Sequence, residues 1–139
     1  VHRVFLDANV LFSAAYREDS PLLRLWRRRG AELLTSAYAR AEADRHLNES
    51  QRSRLEELMR GVRLVPDVPS HDLPEGLSVR SKDVPIVAAA LAAGATHLIT
   101  GDRRDFGSYY GKKLGGMQVL PPRDYLARPE RKPRRAAKK

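Results

Sequence analysis

Five short apolar runs, separated by helical patterns, constrain this chain more than any other feature. They are Arg3-Val4-Phe5-Leu6, Ala31 to Leu34, Val62 to Val65, His97-Leu98-Ile99-Thr100 and Met117 to Leu120. Each has the length of a buried strand, and Pro66 and Pro121-Pro122 stop the third and the fifth. A helical pattern occupies Asn9 to Tyr16. Ser20-Pro21 reads as an N-cap with proline at the first helical position, opening a helix through Arg29 that Gly30 closes. Ser36 caps a helix to about Leu47, another runs from Ser50 to Arg60, and Gly61 ends it. Asp67 to Arg80, with Pro69, Pro74 and Gly76, reads as loop. Ser81 caps a helix to about Ala93, with Pro85 in its first turn and Gly94 at its stop. Strands that alternate with helices predict an α/β fold with a parallel sheet of about five strands, covered on both faces.

Composition narrows the class. The 139 residues are one domain's worth, and 42% of them are apolar, enough for a packed core. Cysteine is absent, which excludes disulfide frameworks, thiolate zinc sites and cysteine nucleophiles. No apolar run approaches the ~20 residues of a membrane span, and no signal-peptide pattern opens the sequence, so a cytoplasmic domain without a membrane partner is expected. The net charge of +9 is unevenly placed. Residues 127–139 carry seven basic side chains and one acidic one, leaving residues 1–126 only mildly basic. Proline, dense like charge and the lack of large apolar side chains predict a folded domain over 1–126 and a disordered basic tail over 127–139.

Ligands of open parallel sheets bind beyond the carboxyl ends of the strands. That rule singles out Asp7, directly after Leu6, Ser36, and the turn Gly101-Asp102-Arg103-Arg104-Asp105. Asp83 lies in the expected first turn of its helix, where the dipole favours an anion. Glu42 lies among Ala39, Ala41 and Ala43, small neighbours that allow close packing on the sheet. Each acid has an ordinary reading: a cap at Asp7, a first-turn acid at Asp83, a solvated Glu42, a turn at Asp102 or Asp105. Together they call for a compensating cation, and without one they should repel, so that Asp7→Asn would stabilise the metal-free protein. Oxygen-only donors suit Mg²⁺ or Mn²⁺, which polarise phosphodiesters. The scattered histidines (His2, His46, His71, His97) suit zinc chemistry poorly.

The chain resembles the PIN-domain ribonucleases, particularly VapC-like toxins of toxin–antitoxin modules. The resemblance rests on Phe5-Leu6-Asp7-Ala8-Asn9-Val10-Leu11, on Thr35-Ser36 followed by Glu42, on Lys82-Asp83-Val84-Pro85-Ile86-Val87-Ala88-Ala89-Ala90-Leu91, and on Leu98-Ile99-Thr100-Gly101-Asp102-Arg103-Arg104-Asp105-Phe106. It covers about residues 3–126. It implies an α/β/α sandwich and a metal-dependent endoribonuclease with a catalytic set of Asp7, Glu42, Asp83 and Asp102. Metal ligation by Asp7, Asp83, Asp102 and Asp105 follows from the same resemblance, with Asn9 and Thr100 in support. A metal-activated water would leave a 5′-phosphate and a 3′-hydroxyl. The resemblance also implies an RNA substrate, a homodimer and a cognate antitoxin. His46 departs from the pattern, since relatives often carry Asn there, and it brings Asp44 and His46 forward as outer contributors.

Two other readings remain open at this point. A haloacid-dehalogenase-type phosphohydrolase also begins with an Asp after a strand, but the second acid of its opening motif would fall on Asn9. A non-catalytic RNA- or partner-binding domain would keep the acids without cutting. For substrate, Arg103 and Arg104 stand between two proposed ligands and are expected to guide phosphate, with Arg27, Arg28, Arg29, Lys112 and Lys113 as further cations. The basic tail would raise the local concentration of RNA.

Overall fold

The structure, a computed structural model, describes residues 1–69, 73 and 79–130. Its strands are β1 (His2–Leu6), β2 (Ala31–Ser36), β3 (Val62–Val65), β4 (His97–Ile99), β5 (Lys113–Leu114) and β6 (Met117–Leu120). Its α-helices are α1 (Ala8–Tyr16), α2 (Ala37–Asp44), α3 (Glu49–Met59), α4 (Val84–Ala92), α5 (Arg103–Phe106) and α6 (Pro122–Ala127). The sheet runs β3-β2-β1-β4-β6-β5, parallel throughout except for the last pair. The five expected strands are the five parallel ones. β5 is an addition: Gly115 and Gly116 both have positive φ, and the two-residue turn they form folds Lys113-Leu114 back on Met117-Gln118.

Consecutive strand residues point to opposite faces, and Val4, Phe5 and Leu6 are all fully buried. Both faces of β1 are therefore covered, as an α/β/α sandwich requires. The same holds for Leu98 and Ile99 on β4. α1 packs against α2 and α3, and α4 lies against β2. Ile86 to Ala90 are buried without a break, so α4 is apolar nearly all round, and its alanines let it sit close.

Three helical expectations are corrected. Pro21–Arg27 is a 3₁₀ helix, shorter than the expected α-helix to Arg29, though Ser20 caps it as expected by accepting from Leu22 N. α2 stops at Asp44, short of Leu47, because Asn48 opens α3 with a capping box to Gln51. α4 begins at Val84 rather than at Ser81. Pro85 has no N–H to donate, which suits a helix start at Val84, and Ser81 to Asp83 form a turn ahead of it. α6 was not expected: Pro122 stands at its first position and Tyr125 anchors it in the core.

Of the stretch read as loop, 70–72 and 74–78 lie outside the described residues, and so do residues 131–139 of the basic tail. At the tail's start, the Arg28 guanidinium donates to the carbonyls of Arg128 (2.6 Å) and Pro129 (3.1 Å), and Glu130 accepts from Arg29 N. Among the described residues, no helix is long and apolar enough to cross a membrane.

Candidate active site

Register brings the acids together. β1 has β2 on one side and β4 on the other, so the chain reverses its direction of progress across the sheet between β1 and β4. A crevice opens at the carboxyl ends of such a pair. Leu6 is paired with Ile99, which sets Asp7 beside Thr100. The Thr100 hydroxyl donates to Asp7 Oδ2 at 2.7 Å, and the Asn9 amide donates to the same oxygen at 3.1 Å. Asp7 Oδ1 accepts from Ala8 N at 2.7 Å, so Asp7 is also the cap of α1. Thr35, on β2, donates to the Leu6 carbonyl at 2.8 Å and ties a third strand to this corner. Asp7 is 3% exposed, and burial raises its pKa against the hydrogen bonds from Thr100 and Ala8.

The loop after β4 is held by the same side chains. Gly101 N donates to Asn9 Oδ1 at 2.8 Å, and Asp102 N to Thr100 Oγ1 at 3.1 Å. A Cβ on Gly101 would stand 3.3 Å from Asn9 Oδ1, so glycine there permits the close approach. Asp102 Oδ1 caps α5 by accepting from Asp105 N at 3.1 Å. Asn9 and Thr100 thus position the acids, and Asn9 cannot serve as the second acid of a phosphohydrolase motif.

Asp83, Asp102 and Asp105 each place a carboxylate oxygen within 4.8 Å of the others. Asp7 is outside this trio but lines the same pocket, of about 190 Å³, with Asn9, Tyr38, Glu42, Asp83 and Asp102. Asp83 occupies the cap position of α4 without capping it: instead of binding helix N–H groups, its carboxylate takes both oxygens to Lys82 Nζ, at 3.2 and 3.3 Å. The expectation of a first-turn acid stabilised by the dipole is replaced by an ion pair. Burial pushes Asp83 up to about 7, with Asp105 beside it adding to the rise. Asp105, next to the Asp83 carboxyl and the Lys82 ammonium, is held well below the usual carboxylate range.

Lys82 and Tyr38 were missed as site residues. Lys82 Nζ lies 2.8 Å from Asp105 Oδ2 and 3.5 Å from Asp102 Oδ2. Burial opposes its charge, but its bonds to Asp105 and Asp83 outweigh that and raise its pKa. Its adjacency to Asp83 was the available signal. Tyr38 stands one turn before Glu42 on α2, an i,i+4 spacing that puts both on one face. Its hydroxyl donates to the Lys82 carbonyl at 2.9 Å, and its pKa is raised by burial and by Glu42 and Asp83. Glu42 is the outermost acid, its side chain 40% exposed and paired with Arg45 at 2.9 Å.

Other expected residues lie elsewhere. Asp44 pairs with Arg52 and His46 is exposed in the turn after α2, so neither lines the pocket. Arg103 and Arg104 are exposed at the start of α5, and Arg103 shares a neighbouring cavity of about 360 Å³ with Gly101, Tyr110 and Arg123. Arg27 to Arg29 precede β2 and so stand at the opposite edge of the sheet from the acids.

The donor set fits a hard divalent cation. It is all oxygen and strongly anionic, and Asp105 Oδ2 is buried with the Lys82 ammonium at 2.8 Å as its counter-ion. Comparison with solved structures finds the same fold in the crystal structure of VapBC2 from Rickettsia felis bound to a DNA fragment from their promoter. The TM-score is 0.62 at 16% identity, over 86% of this chain and 98% of that chain. No curated protein matches the sequence. The PIN-domain family profile matches residues 3–104, a span that holds Asp7, Glu42, Asp83 and Asp102, and the chain belongs to the PIN-domain family.

Proposed function

We propose that this chain is a metal-dependent endoribonuclease, the toxin of a toxin–antitoxin pair, acting in the cytoplasm as a homodimer held in check by its antitoxin. The observation that carries the catalytic reading is the convergence of Asp83, Asp102 and Asp105 within 4.8 Å beside a buried, triply hydrogen-bonded Asp7. Asp83, Asp102 and Asp105 would hold Mg²⁺ or Mn²⁺, with Asp7 as the fourth acid of the site. Such a cation, when bound, polarises a phosphodiester and activates water toward it.

The chain's own groups supply orientation. Thr100 and Asn9 fix the rotamer of Asp7, and Asn9 also fixes the backbone that carries Asp102. Glu42, partly exposed on the outer wall, would accept a proton from solvent-side water. Arg103 and Arg104 give the approaching RNA backbone positive charge next to Asp102. The toxin reading draws on the likeness of fold to VapBC2, and the antitoxin would cover the acidic pocket.

Incubating total RNA with the protein and Mg²⁺ or Mn²⁺ tests this. Cleavage should require the cation and fall at least about a hundredfold in Asp102→Asn, the loss of several kcal/mol of charge stabilisation. RNA binding indifferent to Mg²⁺ and never followed by cleavage would instead favour the non-catalytic reading.

A further inference from the structure

One ammonium group stands where three carboxylates meet. Lys82 Nζ is within 3.5 Å of Asp83, Asp102 and Asp105, the same trio whose oxygens could hold a metal. Its backbone is fixed: the Lys82 carbonyl accepts from Tyr38, and Asp83 N donates to Arg80 O at 2.8 Å. Its side chain is 54% exposed, so water is open to it if the carboxylates release it. Arg80 Nε touches Asp105 Oδ1 at 3.3 Å and adds a second cation at the edge of the cluster. A lysine and a divalent cation cannot both sit against these oxygens, since the charges repel and compete for the same lone pairs.

We propose that Lys82 is a built-in counter-ion of the acidic cluster, displaced when a divalent cation enters, so that the chain itself weakens its affinity for metal. The inference rests on the metal-dependent reading above and deepens it. Cation replaces cation on loading. The carboxylates need not face one another uncompensated, and the half-exposed lysine gives up three ion pairs for water, a cost that is taken from the affinity for metal. Lys82 also answers the repulsion that the sequence alone leads one to expect among these acids.

The test is calorimetric titration with Mn²⁺ alone, with no RNA present, alongside thermal denaturation in EDTA. Lys82→Gln should bind Mn²⁺ about tenfold more tightly than the unaltered chain, melt lower in EDTA, and gain more from Mn²⁺. Lys82→Arg, which keeps the charge, should stay close to the unaltered chain in all three. A Gln variant that folds only when Mn²⁺ is added is the extreme form of the same result and supports the proposal. Equal or weaker Mn²⁺ binding by Lys82→Gln overturns it while leaving the metal reading intact. If neither protein binds Mn²⁺, the metal reading falls and takes this inference with it.

Discussion

The neighbouring strands β1 and β4 each carry a histidine at one end and an aspartate just past the other. His2 and His97 stand at the strand starts, and Asp7 and Asp102 follow the strand ends. Four steps of β1 separate the two edges, about 13 Å at ordinary strand rise. At the histidine edge the rings of His2 and His97 lie 4.4 Å apart, the Tyr125 ring is 5.2 Å from His97, and Arg28 stacks over Tyr125 at 4.7 Å. Burial, with the positive charge of Arg28, Arg128 and Lys113 and the nearby His2 ring, lowers the pKa of His97 to about 4. At the acid edge, charges are packed together, with Lys82 among three of the acids and Arg80 beside Asp105. Both edges desolvate titratable groups, but they resolve the cost differently. At the histidine edge His97 sheds its charge and joins the core. The acid edge keeps charge, keeps a pocket, and is therefore the edge equipped for chemistry.

The largest test of that contrast is pH, with EDTA present. In the unfolded chain His97 takes up a proton near its ordinary value of 6.5, and in the folded chain only near 4. Between those values the unfolded state binds more protons, so this histidine makes stability rise with pH from about 4 to 6.5. Asp83 does the reverse. Its folded pKa near 7 exceeds the ordinary 3.8, so the folded state binds more protons and stability falls as pH rises across that range. Asp7, also raised, acts in the same direction as Asp83. The two edges oppose each other in one pH window. Relative to the unaltered chain, His97→Gln should lose about 2 kcal/mol more stability as pH rises from 4.5 to 6.5, and Asp83→Asn should change in the opposite direction. Denaturant midpoints at the two pH values measure both. Parallel curves for all three proteins would mean that neither edge titrates on unfolding.

These two edges differ in how far the sequence reveals them. The five parallel strands and the acids at their ends were legible because a buried strand needs an unbroken apolar run, and Asp7 ends one of them while Asp102 stands in the turn after another. β5 was not, since two residues paired through Gly115-Gly116 leave no apolar run to read. The 3₁₀ character of Pro21–Arg27 was hidden because capping and proline at N1 serve either helix type. At the site, residue types and order identified the acids, but charge balance was invisible. Whether Lys82 meets Asp83, Asp102 and Asp105 depends on where the turn before α4 aims its side chain, a tertiary matter. His97 begins an expected strand, but its neighbours His2 and Tyr125 come from the other ends of the chain, so their meeting could not be read from the sequence.

Asp7→Asn gives a smaller effect and reverses an expectation. Repulsion among four acids leads one to expect stabilisation from this change. The structure supplies reasons for the opposite. Lys82 already answers three of the acids, and Asp7 is an acceptor on both oxygens. An asparagine amide must turn its NH₂ either toward Ala8 N–H or toward the Asn9 amide, donor against donor in each case. Leaving such a pair unsatisfied costs about 1–2 kcal/mol, so Asp7→Asn should melt lower than the unaltered chain in EDTA. A higher melting temperature would restore repulsion as the dominant force at this edge.

The smallest effect separates the edges by what they bind rather than by what holds them. Arg103 and Arg104 flank Asp102, whereas Arg27 and Arg29 are exposed beside the strand starts. If RNA enters over the acid edge, only the first pair meets phosphate. RNA affinity measured in EDTA across a range of salt reports the number of phosphates neutralised, because each contact releases condensed counterions. Replacing Arg103 and Arg104 with alanine should reduce the slope of log K against log salt by up to about 1.4, two single-strand contacts' worth. Replacing Arg27 and Arg29 should leave the slope unchanged and shift affinity only through net charge. Arg28 is left in place, since its bonds to the Arg128 and Pro129 carbonyls hold the end of the described chain and its loss would confuse folding with binding. Equal slopes for the two double variants would place RNA across the whole basic surface, with no preference for the acid edge.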